Sequence, residues 1–163
     1  MTYYDTFDSP IGTLLATSDG ESLTGIYMEN HKGGPKIGPG WRREPDRFAD
    51  IRRQLADYFA GRRQVFDLPL ALIGTPFQKQ VWDELLAIPF GETTTYGTIA
   101  RKLGEPNASR AVGAAVGKNP ISIVVPCHRV LGSSGAITGF AGGLDRKRRL
   151  LDLESKARDL FTG

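Results

Sequence analysis

Cysteine is all but missing from this 163-residue chain: Cys127 stands alone, so neither an intramolecular disulfide nor a cysteine-rich zinc site can form. Histidine is nearly as scarce, with only His31 and His128. No apolar run approaches the roughly 18 residues that a spanning helix needs, which sets aside a transmembrane protein and a membrane partner. Met1 leads into Thr-Tyr-Tyr-Asp rather than a basic stretch and an apolar segment, so no secretory leader is expected and the cytoplasm is the expected compartment. Linker and repeat signals are absent as well. What is present is the composition of a packed protein, 40% apolar and 9% aromatic, at a length that suits one domain or two small ones. A lone thiol in a reducing compartment is the feature that needs an explanation.

Neither sign of charge dominates, with 21 Lys and Arg against 18 Asp and Glu, but the placement is uneven. Residues 101–150 hold nine basic residues (Arg101, Lys102, Arg110, Lys118, Arg129, Arg146, Lys147, Arg148, Arg149) against Glu105 and Asp145. Such a segment suggests a polyanionic partner, and a solvated basic face explains the charge alone equally well.

Short apolar runs separated by Ser9-Pro10 and Asp19-Gly20 predict two or three antiparallel strands within the first thirty residues. Residues 31–41, rich in Gly and Pro, read as a surface loop. From Asp46, Phe48, Ile51, Leu55, Tyr58 and Phe59 recur at helical spacing up to Gly61, which predicts a helix packed on the sheet. A short strand is expected around Phe66 to Leu70. Thr75 and Pro76 then suit the cap and first position of a helix whose buried stripe is Phe77, Val81, Trp82, Leu85 and Leu86. The expected class is α/β, with an α/β part over residues 1–72 and a mainly helical part over 73–163.

Thr94 or Thr95 can cap a helix through Tyr96, Ile99, Ala100 and Leu103 that ends at Gly104, and Asn107 can cap a second over 108–117. Two short helices joined by a tight Gly-containing turn match a DNA-binding helix-turn-helix, a pattern that ordinary core helices also produce. The second helix offers Ala108, Ala111, Gly113, Ala114, Ala115 and Gly117, with Arg110 its one long charged side chain near the N-terminal end. Small residues admit a sugar-phosphate wall closely and supply almost no hydrogen bonds for reading bases, so proximity without sequence specificity is expected. Arg110 then either fills the space of an extruded nucleotide, contacts a phosphate, or faces solvent.

Ile121 to Val125 is an apolar, β-branched run that reads as a short strand, stopped by Pro126 directly before Cys127-His128-Arg129-Val130. A free Cys is commonly an inert buried hydrophobe. Here an imidazole and a guanidinium follow it, and cationic neighbours lower a thiol's pKa toward the reactive thiolate. Consecutive side chains in extended backbone point to opposite sides, so His128 is expected to act on Cys127 through a water rather than by a direct ion pair. His31, in the Gly/Pro loop, is a poor candidate. Leu144 to Ser155 reads as a helix with Glu154 near its end, either reaching back to the site or solvated.

Val125-Pro126-Cys127-His128-Arg129-Val130, followed by Gly132-Ser133-Ser134-Gly135 and Gly139-Phe140-Ala141-Gly142-Gly143-Leu144, closely resembles the active-site signature of the O6-alkylguanine-DNA alkyltransferases. The similarity extends through Ser109 to Gly113, Asn119-Pro120, Tyr96-Gly97 and Thr75-Pro76-Phe77, about half of the chain. The resemblance implies a ribonuclease-H-like N-terminal α/β domain and a helical domain with a helix-turn-helix and an active-site loop. It implies irreversible, single-turnover transfer of an alkyl group from O6-alkylguanine in duplex DNA, with O4-alkylthymine as a second substrate, onto Cys127. By it His128 and a water deprotonate Cys127, Glu154 orients His128, Asn119 bridges the helix-turn-helix to the active-site segment, and Tyr96 donates toward N3 of the flipped base. Val130, Phe140, Ala141 and Ser133 would line the base pocket, while Arg110, Ala108, Ser109, Ala111, Gly113, Ala114 and Thr95 would meet the minor groove. No metal or cofactor is implied, and a monomer would meet duplex DNA with or without cooperativity along it.

Phe140 stands where many members of that family carry Tyr, so one hydroxyl near the pocket is missing. A lesion-binding relative that does not repair would carry Trp in place of Cys127. A plain helix-turn-helix regulator leaves residues 126–130 without a purpose, and a cysteine hydrolase needs an oxyanion hole that no motif here supplies.

Overall fold

The computed structural model describes residues 1–162, with side chains through Arg158. As the turn signals predict, β1 (Tyr3–Phe7), β2 (Leu14–Ser18) and β3 (Leu23–Met28) pair in antiparallel succession. A short β4 (Arg42–Arg43) joins the other side of β1 in parallel, giving the order β3-β2-β1-β4. Leu14 and Ala16 of β2 and Ile26 and Met28 of β3 share one buried core with α1 (Ala49–Phe59), whose Ile51, Leu55 and Tyr58 are the buried face anticipated from their spacing.

The expected strand at Phe66 to Leu70 does not form. Leu70 makes a single bridge to Leu23, through Leu23 N to Pro69 O and Ala71 N to Leu23 O at 2.9 Å each, and Pro69 has no N–H with which to continue a ladder. Nor is Ile121 to Val125 a strand. Only Ile121 bridges, to Ile26, with Ile26 N donating to Pro120 O at 2.9 Å and Ser122 N to Ile26 O at 3.2 Å, after which the chain turns. The outer edge of β3 is thus covered by two passing segments rather than a strand, and the second of them leads into Cys127.

The C-terminal part opens on α2 (Pro76–Leu86), capped by Thr75 in a reciprocal capping box with Gln78. Then come β5 (Thr94–Thr95), α3 (Tyr96–Lys102) and α4 (Ser109–Gly117). Thr95 caps α3 by accepting from Thr98 N, and the chain leaves that helix through Gly104 at φ +76°. Asn107 is not the cap of α4: Ala108 N closes a turn onto Glu105 O at 2.9 Å, which places Asn107 inside the turn and Ala108 at the cap position without a side-chain bond. The Trp82 indole donates to Ala115 O at 2.9 Å and locks α2 to α4. A parallel pair joins β5 to β6 (Val130–Leu131), and α5 (Leu144–Thr162) continues past the expected end at Ser155 because no breaker follows. The chain is therefore an N-terminal sheet domain and a C-terminal helical domain whose buried residues form one continuous core. Among the described residues no helix is long and apolar enough to cross a membrane, and no cluster of His, Cys, Asp and Glu is placed to hold a metal ion.

Candidate active site

Asn119 shapes the segment that delivers the thiol. Its amide Nδ2 donates to Val125 O at 2.8 Å while its Oδ1 accepts from Ile121 N at 3.0 Å, so one buried side chain clasps both ends of the turn. Inside it, Val125 N returns to Ile121 O, and Ile123, fully buried, sits at φ +73°. A β-branched residue there costs about 1–3 kcal/mol, which the clasp and the surrounding core must offset. Pro126 then feeds a 3-10 turn, Cys127–Arg129, in place of the extended backbone expected.

That turn sends successive side chains to different partners. His128 Nε2 lies 2.6 Å from Glu154 Oε2. Arg129 donates from Nε to Glu154 Oε1 at 2.7 Å, from Nη2 to Oε2 at 3.0 Å, and from Nη1 to Ile88 O at 2.8 Å. A further donor comes from the sheet domain, where the Tyr58 hydroxyl meets Glu154 Oε2 at 2.6 Å. All four residues are buried. Glu154 is neither solvated nor at a helix end, but lies within α5, and Arg129 is turned toward it rather than toward the thiol.

Burial works to raise the Glu154 carboxyl, yet His128 and Arg129 together hold it well below the usual carboxylate range. Burial is also the largest influence on His128 and, with the cations Arg129 and Lys147, outweighs Glu154 and lowers its pKa, so the ring is neutral near pH 7. An ionised carboxylate can only accept, which assigns the ring proton to Nε2 and leaves Nδ1 as a bare acceptor. Nδ1 is buried and bonded to no protein group, so no direct hydrogen bond joins it to Cys127. The thiol itself is pushed up by burial, against partial opposition from Asn119 and Lys147. The expected lowering by adjacent cations therefore does not prevail, and deprotonation needs a base.

Lys147, expected only on a basic helix face, is fully buried. Its ammonium donates to Val130 O at 2.5 Å and Thr138 O at 2.6 Å, and burial lowers its pKa to about 8. The signal was on α5: Lys147, Leu150, Glu154 and Ala157 recur at helical spacing and form its buried face. His31, set aside from sequence, lines a cavity of about 10 Å³ next to Cys127 together with Asn119, Ser122, Phe140 and Ala141. Lys32 N donates to Ala141 O at 2.8 Å, so the Gly/Pro loop rests on the active-site loop. A Cβ on Gly142 would come within 2.3 Å of Met28 Sδ, which explains the glycine where that loop meets β3.

The remaining candidates fall on the outer side of the thiol. The Tyr96 hydroxyl donates to Thr138 O at 3.3 Å. Ser133 is exposed, and Val130 O and Ala141 O already accept from Lys147 and Lys32. On α4, Arg110, Ala111 and Ala114 are exposed and Ala108, Ser109 and Gly113 half-buried, whereas Thr95 is engaged in its cap with Thr98. The basic excess of residues 101–150 is not one solvated face. Arg129 and Lys147 are buried, Arg146 binds Ile11 O and Glu29 O, and Arg149 binds Pro10 O, which leaves Arg101, Lys102, Arg110, Lys118 and Arg148 exposed.

Residues 76–156 match the DNA-binding domain of 6-O-methylguanine DNA methyltransferase, and residues 2–72 match its ribonuclease-like domain. A methylated-DNA--protein-cysteine methyltransferase of Methanosarcina acetivorans is 49% identical over 152 residues, 93% of this chain and 97% of the relative. One of Mycobacterium tuberculosis is 50% identical over 154 residues, 94% and 93% of the two chains. The crystal structure of M. tuberculosis OGT in complex with DNA superposes with a TM-score of 0.89 at 48% identity, covering 95% of this chain and 94% of that one. An O6-methylguanine DNA methyltransferase from Methanococcus jannaschii, at 27% identity, superposes with a TM-score of 0.65 over 93% of both. With both domains matched and half of its residues shared across nearly its whole length, the chain belongs to the methylated-DNA--protein-cysteine methyltransferase family.

Proposed function

We propose that the protein repairs DNA by taking an alkyl group from O6 of guanine onto Cys127, irreversibly and once per chain. The observation that carries this reading is the 2.6 Å bond between His128 and Glu154, which presents Nδ1 as an acceptor in the buried turn that holds Cys127. The thiol proton passes through a water to His128 Nδ1, and Glu154 stabilises the imidazolium that forms. The thiolate then attacks the sp3 carbon of the alkyl group. The carbon–sulfur bond forms as the carbon–O6 bond breaks; guanine leaves with the negative charge and takes up a proton at N1 from water, while His128 releases the thiol proton to solvent. No oxyanion hole is required, only positioning and a stabilised leaving group. Lys147 favours the thiolate by its charge.

On the base side, the Tyr96 hydroxyl exchanges its long bond to Thr138 O for N3 of the flipped guanine. Val130, Phe140, Ala141 and Ser133 line the pocket, and the second lone pairs of the Val130 and Ala141 carbonyls are free to accept. A cavity of about 10 Å³ cannot hold a base, so loop 131–143 moves outward when the lesion enters. The pair α3 and α4 acts as a helix-turn-helix on the minor groove of duplex DNA, with Thr95, Ala108, Ser109, Ala111, Gly113 and Ala114 along the sugar-phosphate wall and Arg110 filling the vacated stack. Residues 1–72 form a ribonuclease-H-like domain and residues 73–163 the alkyltransferase domain, working as a monomer.

Intact mass after incubation with an equimolar duplex carrying O6-methylguanine tests the reading. A gain of about 14 Da, the CH2 difference between thiol and methyl thioether, is expected on the wild type and not on Cys127→Ala. No gain, or one that survives Cys127→Ala, overturns it.

A further inference from the structure

Glu154 is held by more than its own domain. Its Oε2 takes three donors, His128 Nε2 at 2.6 Å, the Tyr58 hydroxyl at 2.6 Å and Arg129 Nη2 at 3.0 Å, and Oε1 takes Arg129 Nε at 2.7 Å. That fills about the four lone-pair sites a carboxylate offers. Tyr58 comes from α1, 96 residues away in sequence. Its ring is packed against Phe59, Phe66 and Phe90, with centroids 5.3, 5.5 and 6.2 Å away, and Phe90 also lies 5.6 Å from the Arg129 guanidinium. The hydroxyl is therefore aimed at one carboxylate oxygen by a fixed aromatic cluster.

We infer that Tyr58 is a positioning residue of the alkyl-transfer relay, whose hydroxyl fixes Glu154 and limits the carboxylate charge available to His128. The inference rests on the alkyl-transfer reading of Cys127. Donors that share one oxygen draw on the same charge, so each weakens the hold of that oxygen on the others. With Tyr58 in place, Glu154 orients the imidazole without making it so basic that it is already protonated when the thiol must give up its proton. Among the described residues, charged and titratable groups reach the pair from three elements, with Cys127 adjoining His128 in the turn. Glu154 and Lys147 face His128 from α5, Arg129 faces both from the turn, and Tyr58 faces Glu154 from α1. Burial and the neighbouring carboxylate push the Tyr58 phenol well above its ordinary value, so it stays protonated and can only donate to Glu154.

The sheet domain thus supplies one atom of the proton relay. A tyrosine that merely filled the core would bond any acceptor, and its loss would lower stability without moving a titration. Removal of the hydroxyl by Tyr58→Phe returns charge on Oε2 to the His128 bond, raises the basicity of the imidazole, and moves the acidic limb of transfer to higher pH.

The test is the single-turnover rate of methyl transfer from O6-methylguanine duplex to the full-length protein, followed by intact mass across the acid limb. Expected for Tyr58→Phe is a limb displaced upward by about half a unit to one unit, with rates on the limb three- to ten-fold below wild type and a plateau within about threefold. Ile51→Val, which loosens the buried face of the same helix about two turns before Tyr58 and has no ring contact with it, leaves the limb in place. In a Glu154→Gln background, Tyr58→Phe adds nothing, because the group through which it acts is gone. A Tyr58→Phe profile that superimposes on wild type, an equal shift in Ile51→Val, or a Tyr58→Phe effect that persists with Glu154→Gln overturns the role. Absence of transfer by the wild type refutes instead the alkyl-transfer reading beneath it.

Discussion

On one side of Cys127, four donor contacts converge on Glu154 within 3.0 Å, and each residue that makes them is buried. Across the thiol, Tyr96 holds Thr138 O at 3.3 Å, Ser133 is exposed, and residues 132–143 include five glycines. On the proposed mechanism the carboxylate that serves the proton is saturated with bonds, while the loop that would receive the base is held mainly through Lys147 to Thr138 O, Lys32 N to Ala141 O and the long Tyr96 bond. A relay must be held within a few tenths of an ångström to pass a proton, whereas a wall that admits an extruded nucleotide must open at modest cost. Stiffness and looseness here divide along the two jobs rather than along the two domains, since the sheet domain contributes both Tyr58 to the stiff side and His31 and Lys32 to the loose one.

The sharpest break of that contrast is Glu154→Ala. It strands a buried Arg129 guanidinium, and removal of one member of a buried pair costs about 3–5 kcal/mol. A drop of that size in urea-unfolding free energy at pH 7, with transfer nearly abolished, is expected. The sign of the pH dependence follows from the lowered Glu154 carboxyl. Its stabilisation is complete above the ordinary carboxylate value and is lost as pH falls through the folded one. The gap between wild type and Glu154→Ala should therefore narrow in acid, and a gap that stays constant would show that the ion pair contributes nothing specific.

Lys147 joins the two sides, because one ammonium holds Val130 O beside the turn and Thr138 O on the loop. Lys147→Met removes both bonds but also relieves a buried charge, so a net loss of about 1 kcal/mol near neutral pH is expected. The folded pKa of about 8 lies below the ordinary 10.5. In that window the unfolded chain binds the proton and the folded one does not, so wild-type stability gains from this group as pH rises. Urea midpoints for the two proteins should diverge from about pH 8 upward, and parallel curves would refute the assignment.

Much of this was legible residue by residue. Thr75 and Pro76 announce α2, Gly104 ends α3, and the Cys127 segment with its glycine loop marks the candidate site. Local preference misled at Ile121 to Val125, where β-branched residues favour a strand, because the Asn119 clasp decides the backbone and is itself a tertiary fact. Lys147 was readable on the buried stripe of α5 but was hidden by the Arg146, Arg148 and Arg149 around it, whereas Glu154 was named through the resemblance while the helix pattern left it either at the site or solvated. Tyr58 was rightly placed on the core face of α1, yet nothing local could name the acceptor of its hydroxyl, which lies 96 residues on.

Arg110 tests the loose side with the smallest expected cost to the fold. It is exposed near the start of α4 and is absent from every ion pair and hydrogen bond among the described residues, so Arg110→Ala should alter stability by no more than about 0.5 kcal/mol. Its proposed work is on duplex DNA alone, filling the stack from which the lesion has been drawn. A free O6-benzylguanine base needs no extrusion and reaches Cys127 without that help. Arg110→Ala should thus slow transfer from duplex by about tenfold or more, on the few kcal/mol that base extrusion costs, and leave reaction with the free base unchanged. Equal slowing of both substrates would place Arg110 in the base pocket instead.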